Sequence, residues 1–215
     1  MKEPTYNLQP VAINVVQDMC SRYHGYGGAG RVVAYAFAVY ENERPVAAYA
    51  WQPPPPGASR AVAPAEPSCV LALSRMVAVP RDERALRHVS RPLRRQMRML
   101  IDRTRWPVLV TYSDEGQGHT GHVYRCSGWT PTVRRRVPFY VDALGVRVSR
   151  YQNGITIRKQ AAGYTWIQRW EHRVCPVGQE AVWLADHGWR REPLHRVWRS
   201  GVHAMRWVRA QEPVA

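Results

Sequence analysis

The densest group of chemically reactive side chains in this sequence lies between residues 108 and 129. An apolar, β-branched run with the length of a buried strand ends in Tyr112, Ser113 and Asp114, and a turn with His119 and three glycines follows. Polar clusters at the carboxyl end of a strand are a favoured place for binding and catalysis. Glycines also let a ligand approach the backbone closely. The stretch therefore indicates a site more than a connection that is merely polar.

A second candidate is the loop after residue 21, in which His24 lies between Tyr23 and Tyr26 among four glycines. A lone loop histidine is usually a surface residue, but this composition favours a lid or a loop that contacts a base. His24 and His119 are candidates for proton transfer or for holding a metal. Cys20 and His24 have a spacing seen in metal sites, although no second ligand pair accompanies them, so the metal is left open.

The balance of charge points to a polyanionic partner. The chain has 31 basic and 16 acidic residues, a net charge of +15, and all but two of its basic residues are arginine. The planar guanidinium fork pairs with phosphate and with guanine edges. A GC-rich genome would account for the choice of Arg over Lys, but not for the excess of positive charge. We therefore predict that the partner is double-stranded DNA.

Compartment and size also follow from composition. The four cysteines are far apart, no CxxC occurs, and neither a secretory segment nor a membrane-spanning run is present in the sequence. These features predict reduced thiols in a soluble cytoplasmic protein with no membrane partner. At 215 residues the chain predicts one domain with an extension. The oligomeric state is left open, a dimer included.

Periodicity predicts the order of the elements. We expect a helix over residues 8–21, a hairpin of strands 31–40 and 46–51, a stiff surface connection or polyproline ligand over 53–67, and a strand over 70–79. A helix with Ser90 as its N-cap and Pro92 in its first turn should follow, then a parallel strand over 108–113. Such a right-handed crossover leaves a crevice at the strands' carboxyl ends, which the segments 80–90 and 112–119 would share.

The predicted helix has one apolar and one cationic side. Leu93, Met97, Leu100 and Ile101 line the first; the second carries Arg91, Arg94, Arg95 and Arg98. Four like charges repel one another unless an anion lies opposite them, although such a stripe is usually only a solvated face.

The rest of the chain is predicted to be β-rich. Three consecutive arginines lie on the strand-like run 133–140, and 146–149, 154–157 and 165–167 are shorter strand-like pieces. From about residue 190 the tail interleaves Trp with Arg. That pattern fits stacking on bases and cation–π pairs within the protein equally well.

The order of strand 70–79, loop, helix, strand 108–113 and the Gly128-Trp129 ending resembles the GNAT (GCN5-related N-acetyltransferase) fold. In that family an Arg/Gln-x-x-Gly-x-Gly/Ala loop binds the coenzyme A pyrophosphate at a helix N-terminus. The aligned run here, residues 84–90, keeps Arg84, but Ala, Arg and Val stand at the glycine positions. The resemblance implies an α+β fold, a strongly twisted mixed sheet flanked by helices. It also implies cofactor contacts from Val77, Val79, Arg84, Arg87, Ser90 and Tyr124.

A more specific resemblance is to the phage Mom DNA-modification family. It rests on Arg22-Tyr23-His24-Gly25, on Leu73-Ser74-Arg75-Met76, and on the run from Tyr112-Ser113-Asp114 through Gly-His-Thr-Gly to Tyr124, and it covers roughly residues 15–140. It implies a phage or prophage enzyme that converts adenine in DNA to its N6-carbamoylmethyl derivative and so protects the DNA from restriction. Residues 1–145 would form the catalytic domain. Residues 146–215 would form a basic Trp/Arg-rich extension that packs on the core and contacts DNA.

Roles for individual residues follow as hypotheses. Asp114 would accept a hydrogen bond or proton from the adenine N6 amine, Ser113 and Tyr112 would position the base or the donor, and His24 or His119 would transfer protons. The base would be flipped into a pocket. The residues expected to contact DNA are Tyr23, Tyr26, Arg75, Arg91, Arg94, Arg95, Arg98, Arg134, Arg135 and Arg136.

The group donor is left open at this point. Acetyl-CoA or a related thioester is one option, although ordinary acyl transfer does not join N6 to a methylene carbon. Two other functions compete with DNA modification. One is a GNAT acyltransferase that acts on a protein or small molecule, against which the missing glycines count. The other is a noncatalytic DNA-binding protein, which leaves the cluster from Tyr112 to Tyr124 unexplained.

Overall fold

The computed structural model describes residues 6–24, 33–80, 87–142, 144–145, 147–148, 161–197 and 203–210. The first half of the chain forms β1 (Tyr6–Pro10), α1 (Ile13–Tyr23), β2 (Tyr35–Glu41), β3 (Arg44–Gln52), α2 (Pro56–Val62), β4 (Val70–Ala78) and α3 (Arg87–Arg103). The second half forms β5 (Val108–Asp114), α4 (His122–Ser127), β6 (Thr130–Val141), β7 (Arg147–Val148), β8 (Gly163–Arg173), α5 (Glu180–Asp186), β9 (Trp189–Val197) and β10 (His203–Arg209).

The main sheet has eight strands in the order β1-β2-β3-β4-β5-β8-β6-β7, and β9 and β10 form a separate hairpin. β4 and β5 are parallel, and the other neighbouring strands are antiparallel. The predicted mixed α+β sheet is therefore confirmed. β8 lies between β5 and β6, so a strand from beyond residue 145 belongs to the same sheet as the strands before it. A domain division at residue 145 stays a prediction.

The parallel strands β4 and β5 part where the crevice was expected. They pair at Val70–Val108, Leu71–Leu109 and Ala72–Val110. Farther along, β4 pairs with β3 up to Ala78, and β5 pairs with β8 up to Asp114. Opposite β3 the register of β4 slips by one residue at Ser74, which forms a β-bulge. The divergence opens a gap between the carboxyl-terminal halves of the two strands.

Helices cover both faces of the sheet. α3 packs with its predicted apolar residues in the largest core cluster, together with Leu109 of β5. Its four predicted cationic residues, Arg91, Arg94, Arg95 and Arg98, are exposed. Since side chains alternate along a strand, Val108 and Val110 lie on the opposite face, where they pack with Val62 of α2 and Leu184 of α5. On that same side α1 covers β2, β3 and β4 with Val16, Met19 and Cys20.

Several predicted boundaries were wrong. Residues 8–10 belong to β1, which pairs with β2, and the helix begins only at Ile13. The connection 53–67 contains α2, which Pro56 begins, because proline needs no amide partner at the first helical position. α3 already includes Arg87, so Ser90 is not its N-cap and Pro92 lies inside the helix. Burial of Val89 and Leu93 on either side of Pro92 offsets the missing amide bond.

The rest of the prediction has a mixed outcome. The predicted strand-like piece 165–167 lies within the longer strand β8. Helix α5 was not predicted. Residues 154–157 lie outside the described ranges. In the tail Arg191 stacks on the buried ring of Trp207 at 5.6 Å, which is the intramolecular alternative. All four cysteines are free thiols. Among the described helices, none has the length and hydropathy that crossing a membrane requires.

Candidate active-site crevice

Asp114 ends β5 and is held by donors from three other segments of the chain. Its carboxylate accepts the amide of Gly116 at 3.0 Å and the hydroxyl of Thr165 on β8. Its second oxygen pairs with Arg147 of β7 at 2.9 Å, and little of either side chain is exposed. Arg147 also stacks on Phe139 at 3.9 Å. The carboxylate is therefore fixed in direction, and its assignment as the acceptor of the N6 proton stays a prediction.

The turn after Asp114 needs glycine at position 116. A Cβ there would lie 2.5 Å from the Thr165 hydroxyl and 2.8 Å from the Arg147 guanidinium. Only a residue without a side chain allows Asp114, Thr165 and Arg147 to meet around this backbone. The sequence analysis missed Thr165 and Arg147 because they lie 51 and 33 residues from Asp114.

Ser113 does not share a face with its two neighbours. Its hydroxyl is buried on the α3 side of the sheet and accepts a hydrogen bond from the Trp170 indole at 2.9 Å. Tyr112 lies on the opposite face, where it lines a cleft of about 140 Å³ with Arg135, Arg169 and residues of α2. Burial raises the pKa of Tyr112, and the two arginines lower it. The structure thus separates Ser113 from Tyr112, although the sequence placed both in one cluster.

His24 and His119 come together at the crevice. Burial, together with the charges of Arg75 and His119, lowers the pKa of His24 to about 4. The two histidines are therefore near enough to influence each other, and their assignment to proton transfer stays a prediction. Tyr23 beside them is 44% exposed, whereas Tyr26 lies outside the described residues. No group of three or more metal-ligating side chains occurs in the described part of the chain, and the metal stays an open prediction.

Arg75 lies on β4 directly after the bulge at Ser74. One of its terminal nitrogens donates to the Ser74 carbonyl at 2.7 Å, while its buried Nε has no hydrogen-bond partner among the described residues. Burial raises the pKa of Cys20, which the charge of this guanidinium partly offsets, and the same charge adds to the lowering of the His24 pKa by burial. Arg75 was predicted to contact DNA. That contact stays a prediction, and the buried Nε is a donor left over on a residue close enough to His24 to lower its pKa.

The backbone amides of β4 that face the gap lie one residue away from Val77 and Val79, the predicted cofactor contacts on this strand. The side chain of Val77 is buried against α1, and the amide of Val79 donates to the Val46 carbonyl at 2.9 Å. Because ladder bonds alternate along an antiparallel pair, the amides of Met76 and Ala78 point away from β3 toward the gap. A ligand in the gap would meet these two amides, which the sequence analysis missed.

Tyr124 of α4 reaches the point at which the two strands part. Its ring is buried against Trp129 and Trp170, with centroids 6.0 and 5.7 Å away. Its hydroxyl bonds to Thr111, which in turn donates to the Leu73 carbonyl at 3.1 Å. Burial raises the pKa of Tyr124. Its predicted contact with a cofactor stays a prediction with a suitable location.

The predicted cofactor loop is described only from the start of α3. Arg84 and the side chain of Arg87 lie outside the described residues. The carbonyl of Ser90 accepts a hydrogen bond from Ser127 at 3.1 Å. Val89, at one of the missing glycine positions, is buried in the core, and its carbonyl accepts the Tyr49 hydroxyl at 2.8 Å. The valine side chain therefore does not cover the first turn of α3.

The predicted DNA-contacting arginines fall into two groups. Those of α3 are exposed, and Arg94 donates to the Cys126 carbonyl at 2.7 Å. On β6, Arg134 and Arg136 stack on aromatic rings of β8, and Arg135 lines the Tyr112 cleft on the other face of the strand.

Comparison with known proteins identifies the fold and the family. The ribosomal-protein-S18-alanine N-acetyltransferase of Escherichia coli superimposes with a TM-score of 0.51 at 11% identity, over 81% of this chain and 97% of that one. A GNAT acetyltransferase from Elizabethkingia anophelis, solved with acetyl-CoA bound, gives 0.49 at 9% identity over 79% and 98%. No curated protein sequence matches. The Mom protein family matches residues 5–177. The protein thus has a GNAT-like fold, and the chain belongs to the Mom protein family.

Proposed function

We propose that this protein is a DNA-modifying transferase that attaches a carbamoylmethyl group to N6 of adenine. The observation that carries the proposal is that His24 is largely buried and lies near enough to Arg75 of β4 and to His119 for their charges to lower its pKa, in a Mom-family chain with a net charge of +15. A phage or prophage would use the product to protect its DNA from restriction in the host cytoplasm.

His24 is the base in this proposal. With a pKa of about 4, its imidazole is neutral at physiological pH and has a lone pair to accept a proton. The N6 amine attacks the methylene carbon of the donor, so that the N–C bond forms while the bond to the leaving group breaks. The leaving group departs with the electron pair, and the N6 proton passes to His24. The spare Nε donor of Arg75 stabilises the developing negative charge.

A thioester related to acetyl-CoA fits the residues at the gap. The amides of Met76 and Ala78 and the first turn of α3 would hold it, because backbone N–H groups bind pyrophosphate and carbonyl oxygens. Such a cofactor would activate its acyl carbon, and its thiolate would depart from that carbonyl and not from a methylene carbon. An N6–methylene bond requires displacement at saturated carbon, so we expect the donor to carry its leaving group there.

The target adenine must leave the base stack before N6 can be reached. The cleft beside Tyr112 lies on the same face of the sheet as Asp114, and Arg135 lines it. We propose that the flipped base enters from this face, with Asp114 and Tyr112 positioning it. Thr165 and Arg147 would fix the orientation of the Asp114 carboxylate, and the carboxylate would position the base.

The test is nucleoside mass spectrometry of DNA from cells that express the protein. We expect N6-carbamoylmethyladenine with the wild-type chain and none with His24→Gln. The matched control is His187→Gln, since His187 is exposed directly after α5 and is not among the residues assigned to the site. Unmodified adenine with an intact wild-type protein would overturn the proposal.

The fold supports one alternative, transfer of an acyl group to a protein or small molecule, as in the S18-alanine acetyltransferase that it resembles. The same cells distinguish the two. Acylated protein N-termini or small amines without modified nucleosides would favour this second function.

A further inference from the structure

Two exposed aromatic rings lie on β8, each capped by an arginine of β6. Trp166 is 43% exposed and Tyr164 is 58% exposed. The guanidinium of Arg134 lies 4.4 Å from the Trp166 ring, and that of Arg136 lies 4.4 Å from the Tyr164 ring. These four residues are called the Arg–aromatic ladder below. Their spacing of two along each strand places them on one face of the sheet.

The ladder occupies a part of the sheet that extends past β5. β5 pairs with β8 only from Ile167 to Arg173, whereas β6 pairs with β8 as far as Gly163. Residues 163–166 therefore form a two-stranded ribbon with β6. Core packing does not require aromatic residues on this outer face, and leaving them in water forgoes the stabilisation that burial would give.

Positive charge continues from the ladder to α3. On the adjacent α4, Arg125 lies 5.5 Å over the Trp170 ring, and Arg94 of α3 bonds to the carbonyl of Cys126. The exposed arginines of α3 extend the basic surface along a helix of 17 residues. The carboxylate of Glu115 lies beside the ladder, where Arg134 donates to its two oxygens at 2.8 and 2.6 Å. The surface thus combines aromatic faces with a cationic track.

We propose that the Arg–aromatic ladder binds unpaired bases of DNA that flank the modified adenine, on the face of the sheet opposite the Tyr112 cleft. Bases stack on Trp166 and Tyr164, and the guanidinium groups of Arg134 and Arg136 contact the flanking phosphates. Every base has a π-face, so such a platform tolerates any sequence, and its arginines add cation–π attraction. The proposal rests on the proposed function in taking DNA as substrate, but not on the chemistry of transfer. It gives the protein a way to hold a duplex that has been opened locally.

The test measures equilibrium binding of labelled oligonucleotides by fluorescence anisotropy. One probe is a full duplex, and the other is the same duplex with an unpaired segment of about four nucleotides. For the double variant Trp166→Ala/Tyr164→Ala we expect Kd for the unpaired probe to rise about tenfold, with the full duplex and the salt slope unchanged. For Arg134→Gln/Arg136→Gln we expect weaker binding of both probes and a smaller salt slope. Val182→Ala, which removes an exposed apolar side chain on α5, is the control.

Three results would overturn the inference. In the first, the variant Trp166→Ala/Tyr164→Ala binds the unpaired probe as tightly as the wild type. In the second, it loses the same affinity for both probes. In the third, the wild type is a dimer and the variant is a monomer, which would make the ladder a protein interface. Failure of the proposed function gives a different result. Adenine then stays unmodified in cells with the wild-type protein, while the aromatic variant still loses affinity only for the unpaired probe. Thermal unfolding of each variant checks that the fold is retained.

Discussion

Asp114 is the residue at which donors from three other segments of the chain converge. Its oxygens accept from the turn at Gly116, from Thr165 on β8 and from Arg147 on β7. Each donor reduces the cost of burying the charge, and together they leave the carboxylate in one orientation. An acid held in this way is suited to positioning a base. It is less suited to exchanging its partners in every catalytic cycle.

Asp114→Asn tests this distinction. The amide keeps an oxygen for Gly116 but turns its NH2 toward Arg147, so a buried guanidinium loses its counter-charge. We expect the free energy of unfolding to fall by about 3 kcal/mol. Thr165→Val, which removes a neutral donor, should lower it by about 1 kcal/mol. Both are measured by urea unfolding. If Asp114→Asn retains wild-type stability and loses only adenine modification, the carboxylate is a proton acceptor and the positioning role is wrong.

His24 links the crevice to the pH dependence of stability. Its pKa falls from 6.5 in the unfolded chain to about 4 in the folded one. Between these two pH values the imidazole is protonated in the unfolded state but not in the folded state. The contribution of His24 to stability is therefore lost as the pH drops from 6.5 to 4, and it is constant above 6.5. His24→Gln should therefore show a shallower decline of the urea midpoint over this window. His187→Gln, at an exposed position, should decline like the wild type. Equal slopes for His24→Gln and wild type would contradict the lowered pKa.

At the scale of elements, the unit from β4 through α3 and β5 to α4 was predictable because its signals are local. Apolar runs bounded by proline and glycine indicate the strands, and the spacing of Leu93, Met97 and Leu100 indicates the helix face. The insertion of β8 between β5 and β6 was not predictable, since it depends on pairing between residues more than 50 positions apart. The same limit applies to Thr165 and Arg147. It also explains why the amides of Met76 and Ala78 were not predicted, because which amides face the gap depends on the partner strand; the contacts predicted for Val77 and Val79 stay predictions.

The start of α4 depends on close contact between two elements. Gly121 has a φ of +71°, and a Cβ there would lie 2.1 Å from the Trp170 ring. Gly118 in the same turn has a φ of +74° with open space around it. Gly118→Ala should cost about 1 kcal/mol of unfolding free energy from its backbone conformation alone. Gly121→Ala should cost about 3 kcal/mol, because overpacking adds to that strain. Urea unfolding of the two variants checks the difference, and equal losses would contradict the packing argument.

At the scale of the whole molecule, acidic and basic groups are distributed unequally. Glu66, Glu171 and Glu180 are buried and paired with Arg191, Arg169 and Arg173. Negative charge is thus used to satisfy arginines near the core. The α3 arginines, in contrast, form no ion pair within the described ranges. Their mutual repulsion is relieved only when an anion lies along the helix, and phosphates of DNA meet that requirement.

The salt dependence of the proposed DNA binding tests the role of this surface. Each phosphate contact contributes about 0.9 to the slope of log K against log salt concentration. Replacing the four α3 arginines, Arg91, Arg94, Arg95 and Arg98, with glutamine should lower the slope by about 0.9 for each one that contacts a phosphate. The matched control is Arg22→Gln. Because Arg22 is already paired with Asp18 at 2.9 Å, this substitution should leave the slope unchanged. Anisotropy titrations over a range of salt concentrations give both slopes. An unchanged slope in the fourfold variant would exclude α3 from the DNA contact and leave the β6–β8 ribbon as the remaining basic surface to test.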